Sequence, residues 1–170
     1  MSNSLNASNA LAGLVRIEPS KPIKAFFADP ENRFGIATNI DLVGDEAFAL
    51  VLKAQNQPTV PTESVEQTPF PVRYYYAHQV ELANQRTGEV EERTRLVLIS
   101  PELETCSFVS GGILDSLDLL RRFKGDGPYD PPLCVLAARQ KTRGGNTMLR
   151  LEYVPGSATD ETAVDGRRKK

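Results

Sequence analysis

Residues 70–83, FPVRYYYAHQVELA, repeat with period two: Val72, Tyr74, Tyr76, His78, Val80 and Leu82 fall on one side, Arg73, Tyr75, Ala77, Gln79 and Glu81 on the other. That period is the signature of a long strand. Asn84 to Glu89 (NQRTGE) supplies Asn and Gly for a reversal, and Val90 to Ile99 alternates again, which predicts a hairpin. After Pro101, Thr105 to Ser110 (TCSFVS) is a third β-prone segment. Ser110 then precedes Ile113, Leu114, Leu117, Leu120 and Phe123 at helical spacing. Asp115 and Asp118 stand toward the start of this stretch and Arg121, Arg122 and Lys124 close it before Gly125. The charges complement a helix dipole and the glycine suits a C-terminal cap, so one amphipathic helix is expected. The helix cannot continue through GDGPYDPP at 125–132. Leu133 to Lys141 and Thr147 to Val154 follow as a fourth and a fifth strand around the glycine turn Thr142 to Asn146 (TRGGN).

Outward from this block the signals thin. Residues 1–12 are Asn, Ser and Ala around single leucines, and 156–170 (GSATDETAVDGRRKK) have no aromatic, so both ends are expected to be disordered. Residues 13–69 form an N-terminal extension that packs on the barrel without regular structure, mixing Pro19, Pro22 and Pro30 with Phe26, Phe27, Phe34 and Ile36. Within it, Ala47 to Ala54 (AFALVLKA) fits a strand or a short helix, and residues 55–69, with Pro58, Pro61 and Pro69, read as a linker or long loop. The organised domain is 70–155.

Composition removes several function classes. The chain has 170 residues, 40% hydrophobic and 25% charged, the mix of one globular domain. A net charge of −2 names no partner in bulk. The longest apolar runs, Ala47–Leu52 and Leu133–Ala138, are six residues each, against about 20 needed to span a bilayer. The first residues carry no basic stretch ahead of an apolar one, so a cytoplasmic location is expected. Cys106, Cys134 and the single His78 are too few for a zinc cage or a disulfide framework, and each reads as a core residue. The glycines of Arg143–Asn146 lack the lysine of a phosphate loop, and DGPYD at 126–130 lacks calcium-loop spacing. No enzyme, catalytic residue, metal or cofactor is expected.

The order strand, strand, strand, helix, strand, strand resembles the OB-fold, a five-stranded, partly open Greek-key barrel with one helix between strands 3 and 4. A β-sandwich or an SH3-like barrel accommodates the same order. Within the OB class the chain is similar to the single-stranded DNA-binding proteins of phages and plasmids. That resemblance implies a sequence-tolerant groove for single-stranded DNA in replication or recombination, basic on the backbone and aromatic under the bases, in the host cytoplasm if the protein is phage-encoded. It does not separate DNA from RNA. The basic end, Gly166 to Lys170, departs from the acidic tip of the bacterial members.

Placing Val72, Tyr74, Tyr76 and Val80 inside turns Arg73 and Tyr75 outward, with Arg93 and Arg95 outward on the partner strand. Tyr75 is then the stacking candidate. The hairpin loops add Arg86 and Arg143, flanked by Arg139, Lys141 and Arg150. From Arg121 to Arg143 six cations face only Asp126 and Asp130, although Arg121, Arg122 and Lys124 serve equally as helix caps. A one-residue slip in register reverses the inward and outward sets. Residues 1–69 are the expected surface for self-association. The competing function is a β-barrel interaction module, a structural or regulatory subunit whose Pro-rich segments dock on a protein partner, with an apolar surface patch in place of a basic groove.

Overall fold

Three tyrosines in a row, Tyr74, Tyr75 and Tyr76, are all buried, although neighbours on a strand point to opposite faces. A strand whose first half is covered on both sides organises the molecule. The computed structural model describes residues 14–17 and 21–156. The expectations for residues 1–12 and for the tail after Gly156 lie outside them.

In chain order the elements are β1 (Leu14–Arg16), α1 (Ile23–Ala28), a 3-10 turn (Pro30–Asn32), β2 (Ile36–Thr38), α2 (Gly44–Gln55), α3 (Thr62–Gln67), β3 (Phe70–Val72), β4 (Tyr74–Ala83), β5 (Val90–Ile99), β6 (Thr105–Phe108), α4 (Gly111–Lys124), β7 (Leu133–Lys141) and β8 (Thr147–Tyr153). The protein is mainly β. One sheet runs β1-β2-β4-β5-β6 and the other β3-β7-β8. All pairings are antiparallel except β1 with β2.

The long strand expected at 70–83 forms, but it changes sheets at Arg73. Before it, Phe70 pairs with Val135 and Val72 with Leu133; after it, Tyr74 pairs with Ile99 and Ala83 with Val90. The Arg73 backbone stays satisfied at the crossover, its N–H donating to the Ile99 carbonyl at 2.9 Å and its carbonyl accepting from the Tyr129 N–H at 3.1 Å.

Between the sheets lies the larger core, with Tyr75, Ala77, Leu96, Leu98, Phe108, Val135, Ala137 and Leu151 around the α4 residues Ile113, Leu114 and Leu117. Behind β4 and β5 a second core packs α2, through Ala47, Leu50, Val51 and Ala54, on Tyr74, Tyr76, Val97 and Ile99. Here the extension is not irregular, as expected, but structured. It contributes two strands, covers the back of the first sheet with α2, and adds Ile23, Phe26, Phe27 and Val65 to the larger core. The expected linker at 55–69 contains α3, and Ala47–Ala54 is helical, burying Ala47, Leu50, Val51 and Ala54 on one face at a spacing of three and four residues.

Three strands, the helix and two strands follow β3 as the sequence order predicts, but the barrel is not closed by hydrogen bonds: among the described residues no ladder joins β6 to β8. The start of α4 bridges that gap. The Ser110 hydroxyl donates to the Leu149 carbonyl at 3.1 Å. Gly112 lies so close to β8 that a Cβ there would run into the Leu149 carbonyl and the Met148 side chain. At the other end α4 stops at Gly125, whose φ of 79° is a conformation that strongly favours glycine.

Arg121, in the last turn of α4, is 1% exposed and makes the central polar contact of the fold. Its Nε donates to Asp126 Oδ1 at 2.7 Å, and its Nη1 donates to Asp118 Oδ1 at 2.8 Å and to the Lys21 carbonyl at 2.9 Å. The Tyr75 hydroxyl donates to the same Asp126 oxygen at 2.6 Å, with the guanidinium over its ring. Asn39 completes the set, accepting from the Tyr75 N–H and donating to the Asp126 carbonyl. Breaking such a pair strands a charge in low dielectric. Asp126→Ala is therefore expected to cost about 3–5 kcal/mol, and Tyr75→Phe about 1–3 kcal/mol, in urea denaturation midpoints. A loss below about 1 kcal/mol for Asp126→Ala would show that Arg121 finds other company.

Candidate nucleic-acid interface

Both hairpins outrun the core. β4 and β5 are buried at Tyr74–Ala77 and Leu96–Ile99 and exposed toward Asn84–Glu89, while β7 is exposed at Arg139–Lys141 and β8 at Thr147. Their charges are opposite in sign. Residues 81–93 hold Glu81, Glu89, Glu91 and Glu92 against Arg86 and Arg93, whereas 139–150 hold Arg139, Lys141, Arg143 and Arg150 with no acid.

The expected patch of Arg73, Tyr75, Arg93 and Arg95 does not assemble. Tyr75 is fully buried, so it offers no stacking face. Burial pushes its hydroxyl pKa far above the usual tyrosine range. The reversal has a simple cause: the larger core lies on the Tyr75 side of β4, and the side holding Tyr74 and Tyr76 is covered by α2, a cover that period two does not reveal. Arg93 stands opposite Val80 and Arg95 opposite His78, hence on the Tyr76 face and not the Tyr75 face. Arg95 donates to the Ala54 and Asn56 carbonyls at 3.2 and 3.1 Å and so caps the C-terminus of α2. Arg93 is held by Glu91 at 2.9 Å and borders the opening between β6 and β8. Arg73 lies over the Tyr74 ring at 5.4 Å, with its Nε donating to the Tyr74 hydroxyl, beside an apolar groove along α2. Arg86 is exposed on the acidic hairpin.

The second hairpin keeps its cations together. Arg139 pairs with Glu66 of α3 at 3.1 Å, and Arg150 Nη1 donates to Gln140 Oε1 at 2.8 Å. Lys141 and Arg143 are exposed and form no ion pair among the described residues. The turn between them is tight, with the Thr142 N–H on the Asn146 carbonyl at 2.8 Å and Gly145 at φ 81°.

From this finger a depression of about 580 Å³ runs between α4 and the sheet, lined by Leu119, Leu120, Arg139, Gln140, Arg150 and Tyr153 among others. Its acids are Asp115, paired with Lys24 at 2.8 Å, and Glu152. Tyr153 also lines a second depression, of about 320 Å³, floored by the Gly127–Cys134 turn. Tyr153 is 38% exposed with the Lys124 ammonium 4.8 Å from its ring centre, and Phe123 beside that lysine is 77% exposed instead of joining the helix's core face. In the sequence Tyr153 is one residue of the strand expected over Thr147–Val154, and Lys124 is one of the cations that close the helix. Pairing them required knowing that the end of α4 meets the end of β8.

His78 Nε2 is buried without a hydrogen-bond partner, and burial first, then Arg95, holds its pKa below the usual value. Burial pushes the Cys106 thiol up to about 12. Among the described residues no cluster of His, Cys, Asp and Glu is placed to hold a metal, and no helix is long and apolar enough to cross a membrane. Comparisons with known protein families, curated proteins and solved structures find no match for this chain.

The chain's one imidazole permits a direct check. Its proton NMR signal is expected to titrate below 6.5, the ordinary histidine value. As pH falls through 6.5 the unfolded chain takes that proton first, so the stability contributed by neutral His78 is complete above 6.5 and is lost as pH drops toward the folded pKa. A signal titrating at 6.5 would mean that the ring is solvated, and one above 6.5 that it faces an acid.

Proposed function

We propose that the protein binds single-stranded DNA without marked sequence preference and holds it during replication or recombination. The observation that carries this reading is the β7–β8 hairpin: four cations and no acid on a finger that extends past the core. Single-strand binding gains most of its affinity from cations that displace counterions along the backbone, and a protruding cationic finger supplies them. The strand order, the open junction between β6 and β8, and the finger's place between the last two strands of the 70–155 block support an OB-like plan, in which that loop commonly clasps the ligand. The acidic first hairpin repels phosphate and so directs the strand to one side of the molecule.

A second reading, an interaction module, draws on the apolar groove of about 400 Å³ lined by Leu42, Leu50, Tyr74, Pro101 and Leu103, and on Phe48 and Leu52 exposed along α2. It predicts a protein ligand at α2 and indifference to oligonucleotides.

Fluorescence anisotropy of a labelled oligothymidine about 30 nucleotides long separates the two readings. Combining Lys141→Ala with Arg143→Ala is expected to weaken binding roughly tenfold or more at low salt. The slope of log K against log salt should shrink by about 1.4, two phosphate contacts at about 0.7 each. Arg86→Ala is expected to leave both values unchanged. Unaltered affinity and slope in the double variant would remove the finger from the site.

A further inference from the structure

We propose that Tyr153 is the base-stacking platform of the protein, with Lys124 holding the adjoining phosphate. This rests on the single-strand reading above and goes beyond it by naming where a base, as distinct from the backbone, is held.

Four of the five tyrosines, Tyr74, Tyr75, Tyr76 and Tyr129, are at most 5% exposed, whereas Tyr153 is 38% exposed. A large ring left open at the end of a strand is informative when its surroundings fit one ligand chemistry, and three features do so here. The ring separates two depressions, so it has room for a flat group alongside. Lys124 sits over one face at 4.8 Å, which leaves the opposite face for a base and places a cation where a neighbouring phosphate would lie. The finger with Lys141 and Arg143 begins at the other end of the same strand, about 20 Å away at strand rise. One single strand laid along β8 therefore meets cations first and an aromatic face last, a span that suits the handful of nucleotides typical of one such module.

The placement is fixed by the core. Leu151, two residues earlier on the same side of β8, is buried, and β8 then leaves the core just where α4 ends. Arg121 clamps that helix end through Asp118 and Asp126, which sets Lys124 against the ring. A ring in this position takes an unstacked base. Bases inside a duplex are already stacked on one another, so the platform favours single strands.

The chain has no tryptophan, so its ultraviolet emission comes from tyrosine, and Tyr153 is the tyrosine a ligand reaches. Saturating oligothymidine is expected to quench part of that emission. Tyr153→Phe should keep affinity within about threefold and lose the quench. Tyr153→Ala should weaken oligothymidine binding roughly 5- to 150-fold and leave weak duplex binding unchanged. If Tyr153→Ala binds oligothymidine like the unaltered protein while the Lys141 and Arg143 double variant does not, the platform is wrong and the cationic finger stands. Equal losses on single strand and duplex would also overturn the platform, because they mark a change of charge or fold. If the unaltered protein fails to bind single strands at low salt, the underlying reading fails and the platform falls with it.

Discussion

A guanidinium sealed inside the protein holds the rest in place. Arg121 is reached by the carboxylates of Asp118 and Asp126, by the Lys21 carbonyl and by the ring of Tyr75, so one side chain joins α4, the turn after it, β4 and the segment leading into α1. Burial alone pulls the arginine's pKa down, yet Tyr75, Asp126 and Asp118 together hold it above the usual value, so it stays charged. A buried ion of this kind is weak evidence for net stability, because desolvation offsets much of the attraction. What it secures is uniqueness of arrangement: any slip of α4 or of the β4 register separates charges that have no water to turn to. Asp118 extends the constraint by accepting the Ile23 N–H with both oxygens, at 3.1 and 3.0 Å, which docks α1 on the same point.

Two hairpins of similar reach and opposite sign project from this rigid body. Bulk charge hides the difference, since a net −2 averages an acidic finger with a basic one. At physiological salt, fields fade over about 8 Å, so each finger presents its own charge and not the average. The acidic finger is also tied down: Glu92 holds Arg33 at 3.0 Å, and Glu91 holds Arg93. The basic finger spends Arg139 on Glu66 and leaves Lys141 and Arg143 in water. On the proposed reading, that asymmetry sets the path of the strand along β8.

The hairpins, the position of α4 and the Gly125 stop were legible in the sequence because each is a local pattern of period, charge and turn residues. The faces of β4 were not. FPVRYYYAHQVELA is apolar on both sides in its first half, and alternation cannot tell a strand with one covered face from a strand with two; the deciding element, α2, lies upstream, beyond α3. Alternation alone therefore turns Tyr75 outward, although it is buried, and groups it with Arg93 and Arg95, which lie on the other face of the sheet. Arg121 looked like a helix cap, since a basic last turn is what the dipole favours; only Asp126, five residues on and beyond the glycine, hinted at an inward role. The four cations of residues 139–150 were visible one by one, but their isolation from any acid emerges only beside the opposite composition of the first hairpin. The Tyr153–Lys124 pair was invisible to any local pattern, because it joins the end of a helix to the end of a strand.

The most direct test of where the ligand lies is amide mapping by NMR. Titrating oligothymidine into the isotope-labelled protein should shift the amides of Lys141–Tyr153 and of Phe123–Gly125, and leave those of Tyr74–Ala83 and Val90–Ile99 in place. Shifts concentrated on β4, β5 and α2, with the second hairpin silent, would contradict a β7–β8 interface and return the site to the first sheet.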